Sequence, residues 1–230
     1  MNQKDYAKPV EYHTTLNPKL WDHDRLKGEV RGALLRIAED FKKFCEIDFD
    51  VLDVTITGGN VNYSYTTHSD IDLHLIADFS SVKCDREVAE LFDTKRLLYK
   101  RDYDLTVHGI PVELYVEDSD HPAVSAGSYS LLDDKWLSKP QPNQPEYDRE
   151  ELTAKIDLWH KVIRQATKTG SLQACRKALQ LLRAYRKQGL KTPEGEFSIP
   201  NLVYKSLRND HTLKGITILI DRLHDQELSI

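Results

Sequence analysis

The chain has 230 residues, of which 40% are hydrophobic and 30% charged, and its formal net charge is −5. This composition is typical of a globular protein and excludes a disordered or low-complexity chain. No apolar run reaches the roughly 20 residues that a membrane-spanning helix needs, and the first residues lack the apolar segment of a secretory signal. We therefore expect a protein that does not associate with membranes.

The cysteines indicate the cellular compartment, and the distribution of charge indicates a class of ligand. Cys45, Cys84 and Cys175 lie far apart without the spacing of metal ligands, which favours free thiols in a reducing, cytoplasmic compartment.

Residues 151–191 carry ten Lys and Arg against two acids, a net charge of +8, whereas residues 1–150 have a net charge of −11. Such a basic segment is a candidate surface for phosphate or nucleic acid, and a solvated helix face is the alternative.

The first part of the chain alternates predicted helices and strands. Apolar residues recur every three or four positions from Leu26 to Cys45, which predicts a helix that Asp22 or Asp24 could cap. Alternating Leu52, Val54 and Ile56 predict a strand. In chain order we expect a helix over 24–46, strands over 51–57 and 70–77, a helix over 85–100 with Val88, Leu91, Leu97 and Leu98 facing inward, and a β-hairpin over 103–116 that turns at His108-Gly109.

The second part is predicted to be helical. Three prolines over 138–145 indicate a linker, and apolar stripes over 152–166 and 172–185 follow it. Ser198, with Pro200 in the first turn, predicts a third helix, and a fourth follows over 212–225. The expected fold class is α+β: a small mixed sheet with flanking helices in domain 1–145, then a helical domain 146–230.

Two carboxylates form the most informative pattern. On a strand, Asp70, Asp72 and His74 share one face, while Ile71, Leu73 and Leu75 share the other. Adjacent carboxylates repel each other unless a cation lies between them, and no Lys or Arg stands next to them in the sequence. Mg²⁺ prefers such oxygen ligands, so the pair predicts part of a metal site.

A third carboxylate is expected from the later hairpin. Val112, Leu114 and Val116 alternate with Glu113 and its neighbours, which places Glu113 on the face opposite the core. Asp104, on the partner strand of the hairpin, is a weaker candidate for the third metal-binding carboxylate. Three acids on neighbouring strands can hold two metal ions for phosphoryl transfer.

Gly58-Gly59 precedes the acids by about ten residues. Glycine at a strand end lets backbone N–H groups approach a phosphate, although a tight turn is the simpler interpretation. No Gly-Lys-Ser/Thr follows, so the pattern is not a P-loop.

The combined pattern over about residues 50–117 resembles the DNA polymerase β-type nucleotidyltransferase superfamily. The resemblance implies transfer of an NMP from an NTP to an acceptor hydroxyl, with release of pyrophosphate and two Mg²⁺ ions, for which Mn²⁺ can substitute. It implies that Asp70, Asp72 and Glu113 bind metal and are catalytic. It further implies nucleotide-binding roles for four residues of the glycine turn and the following loop: Gly58, Gly59, Asn60 and Ser69.

The whole chain also resembles predicted nucleotidyltransferases of tailed bacteriophages, through Leu16–Trp21 and Asn201–Asn209. That resemblance implies a location in the host cytoplasm. Four cations of the basic segment are candidate acceptor or phosphate contacts, with RNA such as a tRNA 3′ end as a possible acceptor: Arg176, Lys177, Arg183 and Arg186.

Two departures from the family pattern keep alternatives open. Gly59 stands where serine is common, and Glu113 stands where aspartate is usual. A catalytically silent nucleotidyltransferase-like protein that binds a host RNA or protein is therefore the alternative function. A metal-dependent phosphohydrolase or nuclease is a third option for the clustered acids.

Overall fold

The computed structural model of the chain describes residues 8–82, 88–120, 125–142 and 146–229. Cys84, the start of the helix predicted over 85–100 and the end of the predicted linker lie outside these residues. The chain divides into two compact units, Glu11–Asn143 and a second unit of Gln144–Ile230 that also takes in the described residues 8–10. The predicted domains differ from these units at the N-terminal end, where Val10 belongs to the helical core.

The first unit is a mixed α+β layer structure. Its elements are β1 (Trp21–Asp22), β2 (Arg25–Leu26), α1 (Gly28–Cys45), β3 (Val51–Thr57), β4 (Ile71–Ala77), α2 (Val88–Asp102), β5 (Thr106–Val107), β6 (Ile110–Asp118), β7 (Ser128–Ser130) and β8 (Lys135–Ser138). Six strands form one sheet in the order β5-β6-β4-β3-β7-β8. Strands β4 and β6 are parallel, and the other neighbouring pairs are antiparallel.

The core lies on one face of the sheet. Ile71, Leu73 and Leu75 of β4 are at most 1% exposed, because alternate side chains point toward the helices. On α1 the buried stripe runs through Val30, Leu34, Ala38, Phe41 and Cys45. The opposite face of β4 is thereby left for the carboxylates.

Two local predictions in this unit are wrong. The helix over 24–46 begins only at Gly28, because Asp22 and Asp24 lie in the short β1–β2 hairpin, and Lys27 precedes the helix without a side-chain cap. Leu52, which the alternation predicts on the same face as Val54 and Ile56, is instead 55% exposed, because the β3–β4 register shifts between Val51 and Asp53.

The inward face of α2 also differs from the prediction. Leu97 and Leu98 are 59% and 38% exposed, whereas Phe92 and Tyr99 are buried. Tyr99 packs edge-on against Phe41 and donates a 2.6 Å hydrogen bond to Asp40 on α1. The aromatic side chains of Phe92 and Tyr99, rather than those of Leu97 and Leu98, therefore pack α2 against the core.

The described residues of the second unit form four α-helices, α3 (Arg149–Lys168), α4 (Leu172–Gly189), α5 (Ile199–Asn209) and α6 (Thr212–Leu228). Ser198 precedes α5 as predicted and Pro200 lies in its first turn, but the serine side chain makes no capping hydrogen bond. Mixed α+β structure followed by C-terminal helices confirms the predicted fold class. Among the described residues, no helix combines the length and apolarity required to cross a membrane.

Candidate metal centre and its surroundings

Neighbouring strands bring three carboxylates together. Asp70 immediately precedes β4, and Asp72 on β4 pairs in register with Glu113 on β6. One carboxylate oxygen from each residue lies within 4.8 Å of the others, and all three side chains are partly exposed. Asp104 is exposed and stands outside this group. The three acids, named below the acidic cluster, provide the oxygen ligands that a divalent cation such as Mg²⁺ prefers.

A lysine distant in sequence pairs with the third acid. Lys100, in the last turn of α2, donates to Oε1 of Glu113, and the hydroxyl of Tyr115 donates to Oε2 at 2.9 Å. Burial alone would raise the pKa of Glu113, but the hydrogen bond and charge of Lys100, helped by Tyr115 and Arg96, lower it below its usual value. Lys100 and Glu113 are 13 residues apart in the chain, so the residues next to the acids give no signal of this pairing.

The Tyr115 side chain lies beside the acidic cluster, in contact with Glu113. Burial, together with the nearby charges of Asp72 and Glu113, raises the pKa of the Tyr115 hydroxyl well above its usual value. The hydroxyl therefore stays protonated and donates to Glu113. The guanidinium of Arg96 lies 4.9 Å from the centroid of the Tyr115 ring, which adds a second cation from α2 to this side of the sheet.

His74 lies beneath the acids rather than among them. It is 6% exposed, its Nε2 is 2.9 Å from Oγ1 of Thr57, and its Nδ1 is 2.9 Å from Oε1 of Glu117. Its ring stacks on Tyr115 with centroids 4.8 Å apart. These contacts make His74 a polar support for the strands that carry Asp72 and Glu113.

The glycine turn lies directly against Asp72. Gly58 has φ +85°, and a Cβ built there would lie 2.1 Å from Oδ2 of Asp72. A Cβ at Gly59 would lie 3.0 Å from Oγ of Ser69. Only glycine fits at position 58, because the backbone conformation excludes other residues and the carboxylate occupies the space of a side chain.

Asn60 holds the loop that precedes Asp70. Its side chain is fully buried and donates to the backbone oxygens of Ser69 and Asp70 at 3.1 and 2.8 Å, while it accepts from Asn17 at 2.8 Å. The backbone oxygen of Asn60 accepts from the indole of Trp21. These contacts give Asn60 a positioning role, since its amide is fully engaged by the protein.

Ser69 is the more accessible of the two loop residues. Its hydroxyl accepts from the backbone N–H of Thr66 at 2.9 Å. The residue also lines a cavity of about 200 Å³, shared with His13, Lys19 and Tyr65 among others. Asn60 lines the same cavity, but its amide already takes part in hydrogen bonds with Asn17, Ser69 and Asp70.

Three of the four cations predicted as acceptor contacts are exposed, and the fourth, Arg186, is bound to a residue of α5. Arg176 and Lys177 are exposed and line a cavity of about 920 Å³ at the start of α4. Arg183 is exposed, one heptad further along α4. Arg186 points instead toward α5, where its Nε donates to Oδ1 of Asn201 at 3.0 Å.

Comparison with known proteins gave no match at the level of family, curated protein or fold. No family model matches the chain, and no curated protein or solved structure is significantly similar to it. Functional inference therefore depends on the geometry of the acidic cluster and of the cations around it.

Proposed function

We propose that the protein is a Mg²⁺-dependent nucleotidyltransferase that moves an NMP from an NTP to an acceptor hydroxyl. The convergence of Asp70, Asp72 and Glu113 within 4.8 Å is the observation that carries this proposal. Asp70 and Asp72 are close in the sequence, but Glu113 comes from a different strand, so local sequence does not account for its place beside them. Three carboxylates held together against their mutual repulsion are favoured when cations bind between them.

The residues present fit two Mg²⁺ ions. Asp70 and Asp72 would hold both, and Glu113 would hold one and face the acceptor. Bound Mg²⁺ would neutralise phosphate charge and lower the pKa of the acceptor hydroxyl. In the overall reaction the acceptor oxygen bonds to the α-phosphorus, the bond to pyrophosphate breaks and the acceptor proton is released.

The glycine turn supports the same reaction by its position. Gly58 touches Asp72 without a side chain between them, so backbone N–H groups of this turn lie beside the acidic cluster. Backbone amides without Cβ obstruction can cradle phosphate oxygens. Gly58 and Gly59 would hold the β- and γ-phosphates, while Asn60 fixes the loop from beneath.

RNA is the acceptor class that the charge distribution favours. The segment 151–191 has a balance of +8 and supplies exposed Arg176, Lys177 and Arg183. Phosphate backbones bind such cations without base specificity. An RNA 3′ end, such as that of tRNA, offers the hydroxyl that the reaction requires.

The test is a transfer assay with a matched inactive variant. The protein is incubated with each α-³²P-labelled NTP, Mg²⁺ or Mn²⁺ and total bacterial RNA, with a lane that lacks RNA. Gel and thin-layer separation report label on RNA, on protein or in a small product. We expect transfer that Asp72→Asn abolishes, while a cooperative melting transition shows that the variant still folds. Full activity of Asp72→Asn would overturn the metal assignment.

A catalytically silent nucleotidyltransferase-like binding protein is the second candidate. The ion pair between Lys100 and Glu113 favours it, because an ammonium group already neutralises the third acid. Under this alternative the assay shows no label transfer, although NTP binding is still measurable. Addition of Mn²⁺ distinguishes the two candidates, since a silent protein whose Lys100 replaces the metal does not bind Mn²⁺ at Glu113.

A further inference from the structure

A positive charge is bound to the third carboxylate of the acidic cluster. Lys100, in the last turn of α2, donates to Oε1 of Glu113, and Glu113 pairs in register with Asp72 on the neighbouring strand. Helix α2 is in contact with β6, so the lysine reaches the acids from the adjacent element. The ammonium group therefore offsets part of the negative charge of the cluster.

The two carboxylate oxygens of Glu113 are held in different ways. Oε2 accepts from the hydroxyl of Tyr115 at 2.9 Å, and the Tyr115 ring in turn contacts His74 and Arg96. Oε1 is bound by Lys100, whose side chain is 57% exposed, whereas that of Glu113 is 25% exposed. Lys100 can therefore turn into solvent without any loss of core packing, while Tyr115 continues to hold Glu113 in place.

A divalent cation is the stronger partner for the oxygen that Lys100 occupies. An exposed ion pair contributes little stability, since water screens the charges and the lysine loses rotamer freedom. At the same distance a divalent cation gains about twice the Coulomb energy of an ammonium group. Such a cation would also contact Asp70 and Asp72, whose carboxylate oxygens lie within 4.8 Å of that of Glu113. Exchange of the lysine for a metal ion is therefore favoured.

We propose that Lys100 is an internal competitor of the metal at Glu113. It binds Oε1 and limits the repulsion among the acids when no metal is present, and it leaves that oxygen when a divalent cation binds. The ion pair thus sets the metal concentration at which the third acid becomes a ligand. This inference rests on the proposed function for the metal itself, but it is measured without NMP transfer.

The first test measures the affinity of the full chain for Mn²⁺ by calorimetry. We expect Lys100→Met to bind Mn²⁺ about two- to fivefold more tightly than the native chain, since the energy of an exposed ion pair no longer opposes the metal. Lys100→Arg keeps the charge and the pairing, so its affinity is expected to be no higher than native. Lys95→Met is the matched control, because it removes a positive charge of α2 that pairs with Glu46 instead. Equal Mn²⁺ affinities for Lys100→Met and the native chain would overturn the proposal.

The second test follows the release of the lysine directly. An ammonium group that is bound to a carboxylate must leave it before its amine can attack an acylating reagent. Acetylation of individual lysines is therefore timed by mass spectrometry with and without saturating Mg²⁺. We expect Mg²⁺ to speed the acetylation of Lys100 but not of Lys95, and Asp72→Asn to remove this effect. A rate at Lys100 that saturating Mg²⁺ does not change would overturn the exchange.

The results separate this inference from the proposed function. Tighter Mn²⁺ binding by Lys100→Met, with no NMP transfer by the native chain, would refute the nucleotidyltransferase and leave the competition standing. Transfer by the native chain, with equal Mn²⁺ affinities in the two proteins, would refute the competition alone. If neither the native chain nor Lys100→Met bound Mn²⁺, the competition and the metal assignment would both be refuted.

Discussion

Replacement of Gly58 by alanine tests the central feature of the candidate site, the direct contact between the glycine turn and Asp72. The backbone at Gly58 has φ 85° and ψ −165°, a region essentially restricted to glycine. The new Cβ would lie 2.1 Å from Oδ2 of Asp72, so the carboxylate has to move. The variant therefore perturbs the backbone and the acidic cluster together.

The magnitude follows from these two effects. A side chain held in this backbone region costs about 1–3 kcal/mol, and forcing Asp72 off its preferred rotamer adds about 0.5–1.5 kcal/mol. Together they predict a loss of about 1.5–4.5 kcal/mol, or a fall in melting temperature of roughly 3–18 °C. Displacement of a ligand oxygen also predicts weaker metal binding, by about tenfold or more.

Gly109→Ala is the matched control. Gly109 has φ +75°, and no atom lies within 4 Å of a Cβ built there. Gly109→Ala therefore loses only the stability that a side chain costs at positive φ, about 1–2 kcal/mol. We expect Mn²⁺ affinity, measured by calorimetry, to fall for Gly58→Ala and to stay unchanged for Gly109→Ala. Equal losses of stability in the two variants, with native Mn²⁺ affinity in both, would refute the contact between the turn and Asp72.

Three further predictions concern single side chains. Asn60→Ala removes three buried hydrogen bonds and is expected to lower the free energy of unfolding in urea by about 2–4 kcal/mol; unchanged stability with weaker NTP binding would instead make Asn60 a nucleotide contact. Lys100→Met removes the cation that lowers the pKa of Glu113, so it is expected to cost about 0.5–1 kcal/mol at pH 7. That difference is expected to begin to shrink as the pH falls past the usual Glu value of 4.5 and to disappear below the lowered pKa of Glu113, where the carboxyl is protonated in the folded protein as well; a difference that persists at still lower pH would contradict the pairing. Burial raises the pKa of the Cys45 thiol to about 11 and also raises that of Cys175, so alkylation at pH 8 is expected only after unfolding; mass spectrometry that found either cysteine rapidly labelled in the native protein would contradict this.

The α2 helix is a case in which hydrophobic periodicity does not determine the buried face. Leu91 and Leu98 have the same seven-residue spacing as Phe92 and Tyr99, so periodicity does not decide which pair faces inward. The hydrogen bond from Tyr99 to Asp40 and the packing on Phe41 decide it. Both contacts join residues about 60 positions apart, and a helical pattern contains no information on partners at that distance.

The sequence by itself determined the strands that carry the acids, the faces on which Asp72 and Glu113 stand and the helical character of the C-terminal unit. Strand alternation and helix periodicity are local properties, since they depend only on which side of an element each side chain takes. Only the tertiary structure decided that Asp72 and Glu113 are neighbours in register, that Lys100 pairs with Glu113 and that Arg186 turns toward α5. Those pairings follow from strand order and helix packing, which join distant segments according to the surfaces that they bury together.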